Sequence, residues 1–204
     1  MAGIVPDPQT LALYLGAAVA LILAPGPDTV YVLTRGIQSR AAGVRSALGV
    51  STGVLLHTLA AALGLAALLR AAPTAYSLVK YVGAAYLVYL GVQAVRNDEF
   101  ALDDATETTN SYLRGVAVNA LNPKVALFFL AFLPQFAGDG PDATARMALL
   151  GFLYAVVTAG YLSAVALASN RARRLVATDR LREKLQWGAG SVFVLLGLSV
   201  ALDA

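Results

Sequence analysis

Apolar residues fall into six long blocks along the chain, separated by short polar connections. Leu11 to Thr34 is the first; at roughly 1.5 Å of rise per residue, its helix of about 24 residues exceeds a hydrocarbon core of about 30 Å. Ser46 to Leu69 is the second, with His57 as its only potentially ionisable side chain. The third runs from about Ala75 to Val95 with Lys80 near its start, and the fourth from Tyr112 to Phe136 with Lys124 inside it. Met147 to Ser169 is the fifth, and Leu185 to Leu202, the shortest, is the sixth. The pattern predicts an all-α integral membrane protein with six transmembrane helices. The residues before the first block, Met-Ala-Gly-Ile-Val-Pro-Asp, lack the positive charge of a secretory signal peptide, so the segment is expected to be retained.

Composition agrees with lipid as the solvent. Of 204 residues, 58% are hydrophobic and 13% charged, with mean hydropathy +0.69, whereas a soluble domain carries roughly 25% charged residues. The chain has no Cys, one His and two Met. That excludes disulfides and thiol redox chemistry, and leaves too few soft or imidazole ligands for a metal exporter. No cofactor, bound metal or nucleic-acid partner is expected.

Basic residues set the expected orientation, because Lys and Arg accumulate in cytoplasmic loops. Eleven of the fifteen follow the first, third and fifth blocks: Arg35, Arg40, Arg45, Arg96, Arg114, Arg171, Arg173, Arg174, Arg180, Arg182 and Lys184. The opposite side holds Arg70, Lys80 and Arg146. Both termini are therefore expected outside a prokaryotic cytoplasmic membrane, with Trp187 as an interfacial anchor. The run from Arg171 to Lys184 is read as an ordinary cytoplasmic loop, with contact to anionic lipid as the alternative.

Residues 97–111, rich in Asp and Glu, read as a polar cytoplasmic linker between a first three-helix unit (1–96) and a second (112–204). An odd number of spans in each half makes them face opposite ways, the inverted repeat of many secondary transporters. The helix breakers match across the halves. Ala24-Pro25-Gly26-Pro27-Asp28 stands mid-way along the first block and Asn122-Pro123-Lys124 within the fourth. Proline removes a backbone donor and clashes with the preceding turn, so the first helix should be interrupted and the fourth disturbed. Corresponding breaks at membrane depth point to a substrate site, although proline kinks that only shape packing would read the same way.

A charge follows each break, Asp28 and Lys124, at a depth where it costs roughly 2.5–3.5 kcal/mol on insertion scales. The two side chains make either a structural ion pair or the two poles of a zwitterion site. An amino acid has matching poles: its ammonium would sit at Asp28 and at freed carbonyls, its carboxylate at Lys124 and a half-helix N-terminus.

These residues resemble the lysine exporter (LysE/RhtB) family of amino-acid efflux proteins. The resemblance rests on Ala24-Pro25-Gly26-Pro27-Asp28, Gly64-Leu65 after His57, and the Gly83 to Gly91 segment Gly-Ala-Ala-Tyr-Leu-Val-Tyr-Leu-Gly. It continues through Asn119-Ala120-Leu121-Asn122-Pro123-Lys124 and Phe132-Leu133-Pro134-Gln135-Phe136, and so covers nearly the whole chain. It implies export of amino acids such as homoserine, threonine, lysine or small analogues, driven by proton exchange, and no enzymatic activity.

Pro25, Gly26, Pro27, Asp28, Asn119, Asn122, Pro123 and Lys124 are the candidate substrate-binding residues, joined by Tyr86 and Tyr89, three apart on one helical face. Asp28 and His57 are the candidates for carrying a proton; a carbonyl or hydroxyl partner for His57 is the structural alternative. Asn119 and Asn122 either bind ligand or repair the break at Pro123. Lys80 can reach the outer headgroups by snorkelling. Gly49 to Gly53 is a GxxxG pattern, suited to packing within one chain or to a homodimer. A passive channel, or an exporter of some other small metabolite, shares the polar midplane and stays open as an alternative. A membrane aspartyl protease lacks its second intramembrane acid unless the chain dimerises.

Overall fold

The computed structural model describes residues 4–65, 110–138 and 140–169, with isolated positions between 81 and 92 and between 187 and 198. Among them every regular element is a helix: α1 (Pro8–Leu23), α2 (Pro27–Gln38), α3 (Arg40–Leu59), α4 (Ser111–Ala120), α5 (Pro123–Leu127), α6 (Leu133–Ala137) and α7 (Ala143–Leu167). The third and sixth expected spans, with Lys80, Tyr86, the acidic linker and the basic run, lie outside the described residues.

Local chemistry explains where these helices begin. The Asp7 carboxylate accepts the N–H groups of Gln9 and Thr10 at 3.1 and 3.0 Å, and Pro8 follows it, giving α1 a cap and a first residue that needs no donor. A proline at the helix start recurs at both breaks. Gly26 then Pro27 opens α2, and Asn122 then Pro123 opens α5, where the Asn122 side chain accepts the Lys124 N–H at 3.0 Å. The helices on either side of these starts are bent by 55° (α1 and α2) and 50° (α4 against Pro123–Ala137). Both breaks expected from the prolines are present.

Arg40–Gly64 and Ala143–Leu167, 25 residues each, are long and apolar enough to cross a bilayer, and each bent pair meets the same length and composition when its two helices are taken together. Exposed Leu56, Leu59 and Leu63 on one side of the second span, and Phe152 and Val156 on α7, form apolar stripes. Such stripes suit acyl chains rather than water.

The expectation about the first connection is corrected. Arg35, Arg40 and Arg45 are helical, not in a loop; Ser39 alone separates α2 from α3. Arg35 is 1% exposed: its Nη1 donates to Gln38 Oε1 at 3.0 Å and its guanidinium lies 5.9 Å from the Tyr31 ring centroid. A cation in the last turn of a helix complements the partial negative charge there, which suits Arg35 to the end of α2.

In lipid, helices associate by close packing and hydrogen bonds, not by escape from water, and α3 shows how. The GxxxG face is spent inside the monomer: a Cβ on Gly49 would collide with Tyr112 O, and one on Gly53 would lie 2.7 Å from Asn119 Cβ. Opposite, a Cβ on Gly43 would come 2.6 Å from Gly36 Cα and 2.8 Å from Ala166 Cβ. Helix α3 is thereby pressed against α2, α4 and α7. An aromatic cluster of Tyr14, Phe128, Phe132, Phe136 and Tyr154, with neighbouring rings 5.1–6.3 Å apart, fills the space toward α1. Tyr14 also donates to Leu150 O at 2.8 Å, tying α1 to α7. Two π-helical turns, Ala60–Leu65 and Phe128–Phe132, were not foreseen; the second sets Phe128, Phe129 and Phe132 into the core.

Candidate functional site

The backbone groups set free at the breaks define the site. Proline 25 has no N–H to give the carbonyl four residues back, Leu21 O, and the turn ending at Ala24 leaves its carbonyl outside any helix. Lys124 supplies both: Nζ donates to Ala24 O at 3.0 Å and to Leu21 O at 3.3 Å. Its ammonium sits at the negative end of α1. The ideal Cβ position of Gly26 is 3.0 Å from this Nζ, so any larger residue at 26 would press on the ammonium.

The second break is answered from the first half. Proline 123 likewise cannot reach Asn119 O, which takes the Asn122 N–H at 2.9 Å and His57 Nε2 at 3.0 Å. A carbonyl oxygen only accepts, so Nε2 carries the hydrogen. The Asn119 side chain donates from Nδ2 to Asp28 Oδ2 at 2.9 Å, and Asp28 stands in the first turn of α2, where a carboxylate meets the positive end of the helix. Each break is thus repaired by side chains of the other half.

Asp28, Asn119 and Lys124 line one small cavity between the broken helices, with Thr29 of α2 and Tyr154 and Thr158 of α7. The space open to the centre of a water-sized sphere is about 20 Å³, enough for a water and not for an amino acid. Asp28 Oδ1, Asn119 Oδ1 and Thr158 Oγ1 are buried and have no hydrogen-bond partner among the described residues. Asp28 and Lys124 both face the cavity without an ion pair within 4.0 Å between them among the described residues. Pro25, Gly26, Pro27, Asn122 and Pro123 build the breaks around it. His57 does not line the cavity, and Tyr89 is 52% exposed. Tyr154 and Thr158 were missed by sequence reasoning, which had no signal to set them apart from Thr144, Tyr161 and Ser163 of the same helix.

Comparison with known proteins puts a family to this arrangement. The family model described as LysE type translocator matches residues 19–204. The chain belongs to that family. A homoserine/homoserine lactone efflux protein of Salmonella typhimurium is 29% identical over 193 residues, covering 92% of this chain and 94% of its own. A leucine efflux protein of Klebsiella pneumoniae is 33% identical over 180 residues, covering 84% of each chain. An uncharacterized membrane protein of Pseudomonas aeruginosa is 35% identical over 203 residues, covering 92% and 93%. No solved structure matches the chain significantly. The family is one of amino-acid efflux transporters, so the two broken helices and their shared cavity belong to a translocator.

Proposed function

We propose that the chain is a secondary active exporter of amino acids or small amino-acid derivatives, coupled to protons and working by alternating access in a prokaryotic cytoplasmic membrane. One observation carries the reading: Asp28 and Lys124, one from each broken helix, face a common cavity, and Asp28 Oδ1 is buried there without a partner among the described residues. A buried carboxylate oxygen with no donor is costly to keep and suits a site whose donor is the substrate ammonium. The efflux proteins of Salmonella and Klebsiella support the same class of cargo.

The geometry suggests how the poles are exchanged. In the closed arrangement Lys124 holds Leu21 O and Ala24 O. As the halves part, the substrate ammonium takes those carbonyls and Asp28 Oδ1, and Lys124 turns to the substrate carboxylate. A proton returning through Asp28 or His57 resets the carrier. The repeated order of cap, proline and charge supports two inverted units, 1–96 and 112–204, joined by a cytoplasmic linker at 97–111 with both termini outside.

Efflux from proteoliposomes preloaded with homoserine, threonine, lysine, arginine or leucine, with and without an imposed pH gradient, tests the reading. Saturable efflux that responds to the gradient is expected. Flux that rises linearly with concentration and ignores the gradient would identify a passive channel, and no flux from well-reconstituted protein would point to another small metabolite.

A further inference from the structure

Helical Ser and Thr in lipid ordinarily donate their hydroxyl to the carbonyl four residues back. Here Ser51 donates to Ala47 O at 2.9 Å, Thr52 to Leu48 O at 3.0 Å and Thr58 to Val54 O at 2.9 Å. The hydroxyls of Thr34, Ser46 and Thr158 are instead buried without a partner among the described residues, and of these three Thr158 is the one that lines the cavity. Thr158 lies deep within α7, is 4% exposed, and its Oγ1 makes no such bond although the carbonyl of Tyr154 stands four residues before it. A buried hydroxyl that forgoes its local partner has either a cost without a use or a partner that arrives later. Its position on the cavity wall favours the second.

The wall divides by chemistry. The charged and amide groups, Asp28, Asn119 and Lys124, come from the two breaks, where the ammonium and carboxylate common to all amino acids would be held. Helix α7 is unbroken, and the groups it adds are Tyr154, Thr158 and Leu162. It faces whatever distinguishes one amino acid from another. On that face Tyr154 and Thr158 each carry a hydroxyl able both to donate and to accept, and Thr158 Oγ1 is the one buried without a partner among the described residues.

We propose that Thr158 is the specificity-determining residue of the site and hydrogen-bonds the side-chain hydroxyl of a short hydroxylated amino acid. The inference rests on the amino-acid export reading above. A purely alkyl side chain would leave Thr158 Oγ1 unpaired in the loaded carrier. A site built to bond a hydroxyl discriminates against an analogue lacking it more strongly than an apolar pocket discriminates by size.

The test compares efflux of homoserine and serine with that of leucine and valine from proteoliposomes holding wild type, Thr158→Val, Thr158→Ala or Thr158→Ser. Val keeps the shape and removes the hydroxyl, Ala removes both, and Ser restores the hydroxyl. The hydroxylated-to-alkyl efflux ratio is independent of how much protein folds. It should fall at least tenfold in Thr158→Val and Thr158→Ala, and stay within about threefold of wild type in Thr158→Ser. An unchanged ratio in the Val and Ala variants, with both classes still exported, overturns the role of Thr158 and leaves the exporter reading standing. If wild type moves no amino acid, the exporter reading falls and this inference falls with it.

Discussion

Gly53→Ala probes the contact that positions the site. A Cβ at 53 would lie 2.7 Å from Asn119 Cβ, 2.9 Å from Asn119 Oδ1 and 3.0 Å from the Val116 carbonyl. The first falls about 0.7 Å short of an ordinary 3.4 Å contact, and Asn119 is fully buried. Overpacking of this kind costs about 1–3 kcal/mol. Replacing a helical glycine by alanine gains about 1 kcal/mol in propensity, which leaves about 0–2 kcal/mol of net destabilisation. Gly16→Ala in α1 separates the two effects, since a Cβ there meets nothing within 4 Å among the described residues. Unfolding in mixed micelles should place Gly53→Ala about 1–3 kcal/mol below Gly16→Ala. Function should suffer as well: moving Asn119 by about 0.7 Å stretches its 2.9 Å bond to Asp28 to about 3.6 Å, beyond a hydrogen bond. Efflux per folded molecule should then fall in Gly53→Ala and hold in Gly16→Ala. Equal stability of the two variants, with wild-type efflux in both, would refute the reasoning.

Other perturbations address the charges. Asp28→Asn keeps an oxygen for Asn119 and removes the negative pole, so gradient-driven efflux should drop at least tenfold while the protein still elutes as a folded species; normal coupled export would sink the assignment of Asp28. Lys124→Met removes a charged donor whose hydrogen bonds are worth about 1.5–3 kcal/mol, so apparent affinity should weaken roughly 10- to 100-fold, and unchanged affinity for every amino acid would end the zwitterion scheme. Hydrogen bonds from the Thr10 side chain and backbone hold the Asp7 carboxyl below its ordinary 3.8. A depressed acid contributes stability above its unfolded value that is lost as pH falls through the folded one, so the unfolding midpoint should drop with acid below about pH 3.8. Asp7→Asn, which caps without titrating, should flatten that part of the profile, and an identical acid slope in both proteins would count against it.

What could be read from the chain alone was what is local. The breaks at Pro25 and Pro123 follow from missing N–H groups, and the spans of α3 and α7 from unbroken apolar runs. The partners of the freed groups could not be read, because they come from far along the chain: Lys124 reaches Ala24 O across 100 residues and His57 reaches Asn119 O across 62. Composition marked Lys124 as a charge in lipid without revealing that backbone carbonyls hold it. Arg35 was assigned to a loop because charge was taken as the end of a span, whereas its neighbours Tyr31 and Gln38 let it stay in the helix. Glycines 49 and 53 announced a close approach but not the helix approaching. Thr158 was invisible because its distinction is a bond it does not make.

Ser39 separates two helices by a single residue, and a joint that short leaves no slack. With Gly36 and Gly43 seated against each other just beside it, α2 and α3 behave as one crank. Asp28 rides at one end of that crank, and the Gly53 face that grips Asn119 rides on its other arm. A tilt of α2 would therefore be felt at the Gly53 contact with Asn119, so the two breaks share one lever.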